Sequence, residues 1–187
     1  MADHHVLLGI TGSIAAYKGA ELLRRMQEKG WEVSVVMTRA ATKFVGELTF
    51  RTLSRRPVAV DMFEEKTEWR PEHISLSERA DVFLVAPCTA NVMAKLAHGL
   101  ADDLLCCTAL ACTAPLVLAP AMNEKMWDDP ATQQNVKTLA GRAVRIVDVG
   151  TGDLACGYQG RGRMASVESI IRVVAEELDR RKGETRE

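Results

Sequence analysis

The sequence predicts an α/β fold in which a doubly wound parallel sheet forms the middle of three layers. Short runs rich in β-branched and apolar residues alternate with amphipathic helical stretches along the chain. The two most apolar runs, residues 80–88 and 114–122, have the composition of central parallel strands that are covered on both faces. Such alternation is typical of flavodoxin-like and Rossmann-like domains, whose crossovers are right-handed.

Three strands and two helices are predicted in the first third of the chain. The strands cover residues 4–11, 31–38 and 57–63, and the helices cover residues 13–30 and 41–54. Apolar residues recur at helical spacing in the first helix, and Gly30 supplies its stop signal. The chain therefore begins with the strand–helix units that a doubly wound sheet requires.

The remainder continues the same alternation. Residues 89–113, between the two apolar strands, are predicted to be helical except around Gly99. After these come a helix over residues 123–139 with a break near Pro130, a strand over 143–149, and a closing helix over 166–181. We expect one domain spanning residues 1–187, with a disordered tail over residues 180–187.

The charge and the termini argue against several classes of partner. A formal net charge of −1 gives no reason to expect nucleic acid or an anionic membrane surface. No apolar run approaches the ~20 residues of a membrane span, and the N-terminal residues lack a leader pattern. We therefore expect a cytoplasmic protein whose cysteines stay reduced.

The five cysteines show neither a CxxC pair nor zinc-type spacing, so no metal site is expected. Four of them lie in apolar or helical surroundings and are interpreted as small buried side chains. Cys156 differs because it lies in the glycine-rich segment 150–164, which is predicted to be a polar loop without a core. A thiol in such a loop is not explained by packing.

The turn after the first strand has the composition of a phosphate site. Gly9, Gly12 and Ser13 precede the first helix, where free backbone N–H groups and a capping hydroxyl favour an anion. The dinucleotide pattern G-x-G-x-x-G is absent, because Thr11 occupies the position of its second glycine. Two interpretations remain: a tight turn without a ligand, or a mononucleotide such as FMN with Thr38 as a hydroxyl donor.

Three short stretches carry the remaining chemistry. The stretch PAMNEKMW, residues 120–127, follows a predicted central strand, and its Asn123 either caps a helix or faces a ligand. His73 precedes the apolar residues of EHISL, and Cys156 lies in GDLACG. In open α/β sheets, ligands bind beyond the carboxyl ends of the strands, where these stretches are expected.

Together these stretches resemble the flavin-containing cysteine decarboxylases over residues 7–166. The family motif PxMNxxMW is matched by Pro120, Met122, Asn123, Met126 and Trp127. GSIAAYK, TANVMAKLAHGLADDLL and LACGYQGRGRM further resemble the branch that decarboxylates phosphopantothenoylcysteine in coenzyme A biosynthesis. One departure is a cysteine, residue 88, where alanine is expected.

The resemblance implies FMN as the cofactor and a set of site residues. The implied flavin-binding residues are Gly12, Ser13, Ile14, Thr38, Phe44, Pro87, Thr89, Ala90, Asn91 and Met122. The implied catalytic residues are His73 as a base, Asn123 and Cys156. The implied substrate-binding residues are Asn123, Met126, Ala155 and Arg163. Arg161 is an alternative to Arg163, and for both a solvated loop charge remains an equal interpretation.

The implied reaction converts phosphopantothenoylcysteine to phosphopantetheine. The flavin takes two electrons from the cysteinyl unit to give a thioaldehyde, CO₂ leaves to give an enethiol, and the enethiol is then reduced. Cys156 would supply a proton in that reduction, on a segment that closes over the substrate and then releases product. A lyase of this kind is a flavoprotein of coenzyme A biosynthesis.

The resemblance also implies a homo-oligomer, a trimer or dodecamer, with active sites at subunit interfaces. A phosphopantothenate–cysteine ligase, separate or fused, would supply the substrate. Two other functions stay open: an oxidative decarboxylase of peptidyl C-terminal cysteine that stops at the enethiol, and a non-catalytic relative that regulates a phosphatase. A flavin prenyltransferase is a weaker alternative.

Overall fold

A six-stranded parallel sheet forms the centre of the protein in a computed structural model that describes residues 4–63, 70–153, 157 and 159–184. Its strands are β1 (His5–Ile10), β2 (Glu32–Met37), β3 (Val58–Ala59), β4 (Val82–Cys88), β5 (Leu116–Pro120) and β6 (Arg145–Ile146). Their order is β3-β2-β1-β4-β5-β6, and every neighbouring pair is parallel. This order is that of a Rossmann-type doubly wound sheet, so the fold prediction is confirmed.

Helices cover both faces of the sheet. They are α1 (Lys18–Glu28), α2 (Glu47–Ser54), α3 (Glu72–Arg79), α4 (Ala90–His98), α5 (Leu104–Ala111), α6 (Glu124–Asp128), α7 (Pro130–Ala140) and α8 (Val167–Glu184). Helices α1, α2 and α8 bury their apolar residues on one face, and α3, α4, α5 and α7 bury theirs on the other. The predicted three-layer arrangement is therefore present.

Strand β1 shows why the central strands are continuous apolar runs in the sequence. Val6 and Leu8 face the core that contains α1 and α8, whereas Leu7 faces the core that contains α4 and α5. All three side chains are 1% exposed or less. Because both faces of the sheet are covered, the alternation of polar and apolar residues seen in half-exposed strands is absent here.

The predicted first and second helices are each interrupted near their N-terminal ends. The first begins as a 3-10 turn over Ile14–Tyr17 before α1, and the second has a 3-10 turn over Ala41–Lys43 before α2. Gly46, the N-cap of α2, has extended backbone angles and separates the two parts. The predicted break near Pro130 is confirmed, since Asp129 caps α7 and Pro130 begins it.

The glycine-rich segment contains a small sheet, which corrects its prediction as a loop throughout. Strands β7 (Gly150–Asp153) and β8 (Gln159–Arg163) pair antiparallel, with a register shift between Gly150 and Thr151. Glycines accommodate this geometry, since Gly152 and Gly162 have φ values of +155° and +108°. Backbone hydrogen bonding, rather than apolar burial, gives the segment its structure.

Helix α8 continues to Glu184, into the segment predicted to be disordered. Arg181 explains part of this extension, because its guanidinium donates hydrogen bonds to the carbonyl oxygens of Ala80 and Asp81 at 3.0 and 2.9 Å. Arg180 also pairs with Glu177 one turn earlier at 2.9 Å. The contacts of Arg181 with the connection between α3 and β4 therefore hold the last turn, where fraying is expected of a terminal segment.

Candidate active site

Two adjoining cavities open at the carboxyl edge of the sheet. Cavity A has a volume of about 670 Å³ and cavity B of about 520 Å³. Gly12, Thr89, Ala90 and Met126 line both. They lie where β1 and β4 are neighbours, the point at which the strand order reverses and where doubly wound folds bind ligands.

Thr11 joins the exits of the two central strands. Its side chain is fully buried, and its hydroxyl donates to the carbonyl oxygen of Pro87 at 2.7 Å. The hydroxyl oxygen of Thr11 in turn accepts from the backbone N–H of Thr89 at 3.1 Å. Thr11 therefore fixes the start of α4, where Thr89 caps the helix by accepting from the N–H of Val92. Sequence reasoning noted Thr11 only as a replacement for glycine.

Cavity A is a cleft between the exits of β1, β2 and β4. It is lined by Gly12, Thr38, Arg39, Ala40, Val60, Asp61, Met62, Phe63, Thr89, Ala90, Asn91, Val92, Lys95, Asp102, Asp103, Leu104 and Met126. Gly12 lets two of its walls approach, because a Cβ at this position would lie 2.6 Å from the Cβ of Ala40. The close approach explains why a glycine is required in this turn.

The basic side chains of cavity A are neutralised within the cavity. Lys95 contacts carboxylate oxygens of Asp102 at 2.6 Å and Asp103 at 2.8 Å, and Arg39 pairs with Asp61. The two carboxylates beside Lys95 raise the pKa of its ammonium group despite partial burial, which acts in the opposite direction. Asp103 also accepts from the N–H of Cys106, so this cluster fixes the start of α5.

Cavity B lies between the exits of β1 and β5 and the β7–β8 sheet. Its lining residues are Gly12, Ser13, Ile14, Ala15, Tyr17, Lys18, Phe44, Thr89, Ala90, Ala121, Met122, Asn123, Met126, Asp153, Gly162, Arg163 and Met164. The segments that follow β1, β2, β4 and β5 contribute to the two cavities, and β7 adds Asp153. Cavity B thus combines one apolar wall with a few polar side chains, as small-molecule sites do.

The PxMNxxMW stretch divides between the site and the core. Asn123 lines cavity B and also caps α6, since its Oδ1 accepts from the N–H of Lys125 at 2.9 Å. Met126 is half-exposed at the rim of both cavities, whereas Trp127 is 7% exposed and packs in the core below α4 and α5. The predicted cap is therefore present, and the same residue lines a cavity.

Strand β8 is placed directly against this stretch. The N–H of Met122 donates to the carbonyl oxygen of Gly162 at 3.0 Å. A Cβ at Gly162 would collide with the backbone oxygen of Met122, so only glycine permits this approach. The N–H of Arg161 also donates to Glu124 at 3.0 Å. These contacts make the β7–β8 sheet a wall of cavity B.

Most of the predicted site residues come together in the two cavities. Those that line at least one cavity are Gly12, Ser13, Ile14, Thr38, Phe44, Thr89, Ala90, Asn91, Met122, Asn123, Met126 and Arg163. Pro87 lines neither cavity, although its carbonyl oxygen accepts from Thr11. His73, in the first turn of α3, is also absent from both linings. Ala155 and Cys156 lie outside the described residues.

Sequence reasoning missed several polar residues of the site. Lys18 and Asp153 line cavity B, and Lys95, Asp102 and Asp103 line cavity A. The last three belong to the quoted stretch TANVMAKLAHGLADDLL, so the resemblance pointed to their segment without assigning the side chains. Lys18 begins α1, directly after the 3-10 turn Ile14–Tyr17 that follows Ser13.

Cys88, where alanine was expected, lies beneath the site and lines neither cavity. Its side chain is fully buried in the core beside α4 and α5. Burial raises the pKa of the Cys88 thiol to about 12, because the thiolate would lose its solvation. The thiol therefore stays protonated at neutral pH and acts as a small apolar side chain.

The residues of cavity A, together with Ser13 at the adjoining edge of cavity B, fit a flavin mononucleotide. Ser13 caps the turn after β1 by accepting from the N–H of Ala15 at 3.3 Å, so this turn presents backbone N–H groups at a helix start. Thr38 accepts from the N–H of Ala41 at 3.2 Å and keeps its own hydroxyl hydrogen for a ligand. The cavity volume lies in the range of cofactor sites.

Among the residues that the structure describes, no helix is both long and apolar enough to cross a membrane. The same residues contain no group of three or more histidine, cysteine, aspartate or glutamate side chains arranged to hold a metal ion.

Comparison with known proteins identifies the family. The family model described as Flavoprotein matches residues 1–179.

The chain is 43% identical over 171 residues to the coenzyme A biosynthesis bifunctional protein CoaBC of Bacillus subtilis, covering 91% of this chain and 42% of the relative. It therefore spans about two fifths of the length of such bifunctional relatives. It is also 41% identical over 175 residues to a probable phosphopantothenoylcysteine decarboxylase of Streptococcus mutans, covering 92% of this chain and 98% of that one.

Two solved structures share the fold and most of the chain. A cysteine-to-serine mutant of PPC decarboxylase complexed with pantothenoylaminoethenethiol aligns with a TM-score of 0.82 and 33% identity, over 92% of this chain and 98% of that one. The FMN-dependent cysteine decarboxylase SpaF aligns with a TM-score of 0.78 and 32% identity, over the same shares of the two chains. On these matches and on the cavities at the edge of its sheet, the chain belongs to the flavoprotein family.

Proposed function

We propose that this chain is an FMN-dependent decarboxylase that converts phosphopantothenoylcysteine to phosphopantetheine. The observation that carries the proposal is the placement of Asn123 and Met126 at cavity B, directly beside the nucleotide-type cavity A. A cysteine decarboxylase requires a substrate pocket that touches its flavin. The similarity to a probable phosphopantothenoylcysteine decarboxylase over 98% of its length favours this substrate.

Cavity A is the proposed site of FMN. The phosphate is bound by the backbone N–H groups after Gly12, by Thr38, and by Ser13 at the adjoining edge of cavity B. Thr89, Ala90 and Asn91 line cavity A at the start of α4. FMN supplies a two-electron acceptor, which turns the cysteinyl unit into a thioaldehyde able to take up the electron pair left by CO₂. The protein's part is to hold the substrate against this acceptor.

Asn123 is the proposed anchor of the reacting end of the substrate. Its Oδ1 caps α6, so the side chain has a fixed orientation at the rim of cavity B. A fixed amide orients the cysteinyl amide or carboxylate through hydrogen bonds, which holds the bond between Cα and the carboxylate in position to break. Met126, beside it, supplies an apolar contact for the aliphatic part of the substrate.

His73 is the proposed base, and its position supports a site shared between subunits. The residue lies in the first turn of α3, away from the linings of both cavities in its own chain. A base must come within hydrogen-bonding distance of the proton it removes. We therefore propose a homo-oligomer, a trimer or a larger assembly of trimers, in which His73 serves a cavity of a neighbouring chain.

Cys156 is the proposed proton donor in the final reduction. Strands β7 and β8, which precede and follow it in the sequence, contribute Asp153, Gly162 and Arg163 to cavity B, which supports this role. Reduction of the enethiol needs a hydride and a proton, and a thiol can supply the proton. Without that proton the reaction stops at the enethiol, two hydrogen atoms short of phosphopantetheine.

Product analysis tests the function. We expect the purified protein to be yellow, to release FMN on denaturation, and to convert phosphopantothenoylcysteine to phosphopantetheine, detected by mass spectrometry. A product lighter by two hydrogen atoms would assign the oxidative alternative instead. A colourless protein without releasable flavin would overturn the proposal.

The variant Cys156→Ser tests the role of the thiol, with Cys107→Ser as the matched control. Cys107 is a partly exposed cysteine on α5 that lines neither cavity. We expect Cys156→Ser to accumulate the enethiol and to hold its flavin in the reduced, pale form, while the control makes phosphopantetheine. Normal saturated product from Cys156→Ser would exclude this role.

A further inference from the structure

Cavity B contains two basic side chains without a carboxylate partner. Lys18, the first residue of α1, and Arg163, the last residue of β8, both line the cavity. Within residues 4–63, 70–153 and 159–184, neither forms an ion pair with an aspartate or glutamate. Lys18 is half-buried and has lost part of its solvation, and the charge of Glu21 offsets this loss only in part, since the pKa of Lys18 is lowered on balance.

This arrangement differs from that of the other basic side chains nearby. In cavity A, Lys95 and Arg39 are each paired with aspartates. Arg161, two residues before Arg163 on β8, pairs with Asp128 at 3.8 Å and lines neither cavity. The protein therefore neutralises the neighbouring cations and leaves two in cavity B for a ligand.

The two cations are also held close to one another. Burial and then the charge of Arg163 lower the pKa of Lys18, so the two groups repel within the cavity. The Arg163 guanidinium lies over Gly152, where a Cβ would come within 2.9 Å of Nη1. An anion bound between Lys18 and Arg163 relieves this repulsion and replaces the solvation that Lys18 has lost.

Charge balance favours a ligand group with two negative charges. Lys18 and Arg163 together contribute two positive charges, whereas Asp153, an acidic residue of the lining, lies at the exposed end of β7, where water screens its charge. A phosphate monoester is close to doubly charged at neutral pH. It can accept several charge-assisted hydrogen bonds from a lysine and an arginine at once.

The substrate has two anionic groups, a carboxylate and a phosphate, and the reaction changes the charge of only the carboxylate. The carboxylate loses its charge as CO₂ departs, so cations that stabilise it in the bound substrate would raise the barrier. The phosphate keeps its charge throughout and takes no part in bond breaking. Cations bound to the phosphate therefore improve positioning without opposing the chemistry.

We propose that Lys18 and Arg163 form a phosphate-recognition site in cavity B, which makes this chain select the phosphorylated over the unphosphorylated substrate. The inference rests on the proposed function and adds to it the residues that bind the phosphate of the substrate. Lys18 and Arg163 are specificity-determining residues here, since they bind a part of the substrate remote from the reacting bond.

The experiment compares two substrates, phosphopantothenoylcysteine and pantothenoylcysteine, in the full-length holoenzyme. The variants are Lys18→Met and Arg163→Met, with Lys18→Arg to restore the charge and Arg161→Met as the matched control. Losing one charge-assisted contact lowers the ratio of kcat/KM for the phosphorylated over the unphosphorylated substrate by about tenfold to a hundredfold. Lys18→Arg and Arg161→Met keep the wild-type ratio.

Four results would overturn the inference. A parallel fall of kcat/KM for both substrates would show that the cations do not read the phosphate. Loss of bound FMN from Lys18→Met or Arg163→Met, measured by flavin absorbance, would place the cofactor phosphate at these residues instead. A wild-type enzyme that decarboxylates both substrates equally would refute phosphate selection while the proposed function stands. If the wild type decarboxylates neither, the proposed function fails first and the inference with it.

Discussion

The hydroxyl of Thr11 links β1 to β4 by accepting from the backbone N–H of Thr89 at 3.1 Å while donating to Pro87. Thr89 is the N-cap of α4 and lines both cavities, so this one side chain sets the position of a helix start at the centre of the site. The two residues are far apart in sequence. Their contact depends on β1 and β4 being neighbours in the sheet.

We predict that Thr11→Val destabilises the protein and weakens flavin binding. Valine matches the volume of threonine but leaves the buried N–H of Thr89 and the carbonyl of Pro87 without this partner. The expected loss is about 1–3 kcal/mol in the free energy of unfolding, measured by urea denaturation. Thr138→Val, which removes a solvent-exposed hydrogen bond on α7, is the control, and an equal effect there would contradict the prediction.

We predict that Gly162→Ala lowers activity strongly. The added Cβ collides with the backbone oxygen of Met122, and the φ of +108° is strained for alanine. Strand β8 must then move away from the stretch that carries Asn123, which opens cavity B. The check is kcat/KM together with thermal unfolding, because we expect activity to fall more than stability does.

Gly46→Ala is the matched control for that substitution. Gly46 has ordinary extended backbone angles, and nothing lies within 4 Å of a Cβ built on it. We expect this variant to keep wild-type activity. Full activity in Gly162→Ala would show that the contact between β8 and Met122 is dispensable.

We predict that Cys88 makes the protein less stable in alkaline solution. In the unfolded chain its thiol ionises near the usual pKa of about 8.5, whereas burial raises the native pKa to about 12. Between these values the unfolded state binds fewer protons than the native state, so the free energy of unfolding falls as pH rises. The slope from this residue approaches about 1.4 kcal/mol per pH unit.

Denaturation at pH 7.5 and pH 10 in wild type and Cys88→Ala measures this contribution. The variant removes the Cys88 contribution, so its stability falls less across that range. Cys107→Ala, which alters a partly exposed thiol, leaves the Cys88 slope in place. Equal pH dependence in wild type and Cys88→Ala would show that the thiol does not ionise differently on unfolding.

We predict that two inactive variants regain activity when they share an oligomer. If His73 serves a cavity of a neighbouring chain, His73→Asn and Asn123→Ala impair different halves of a shared site. An equal mixture of the two variants is then unfolded and refolded. An intact site needs Asn123 from one chain and His73 from its neighbour, so about a quarter of the interfaces carry an intact site. Activity of the mixture, compared with each variant refolded alone, is the measurement. No recovery in a verified mixed oligomer would place both residues in one chain's site.

The alternation of apolar strands and amphipathic helices was sufficient to predict the three-layer fold. Burial on both faces leaves a local signature in every central strand, as the wholly apolar β4 shows. The edge strands were less predictable. Strands β3 and β6 have only two residues each. Each pairs with a neighbour on one side only, so its length depends on that neighbour as well as on its own composition.

The sequence by itself determined the elements, the strand exits and the motif residues Asn123, Met126 and His73, because these depend on local pattern or on resemblance. The tertiary structure decided which of them meet. It brought Lys18 beside Arg163, pressed Gly162 against Met122, and left His73 outside both cavities. Such contacts join residues from different crossovers. These contacts depend on the order of the strands in the sheet and on the handedness of the crossover connections. Neither property can be inferred from a local stretch of the chain.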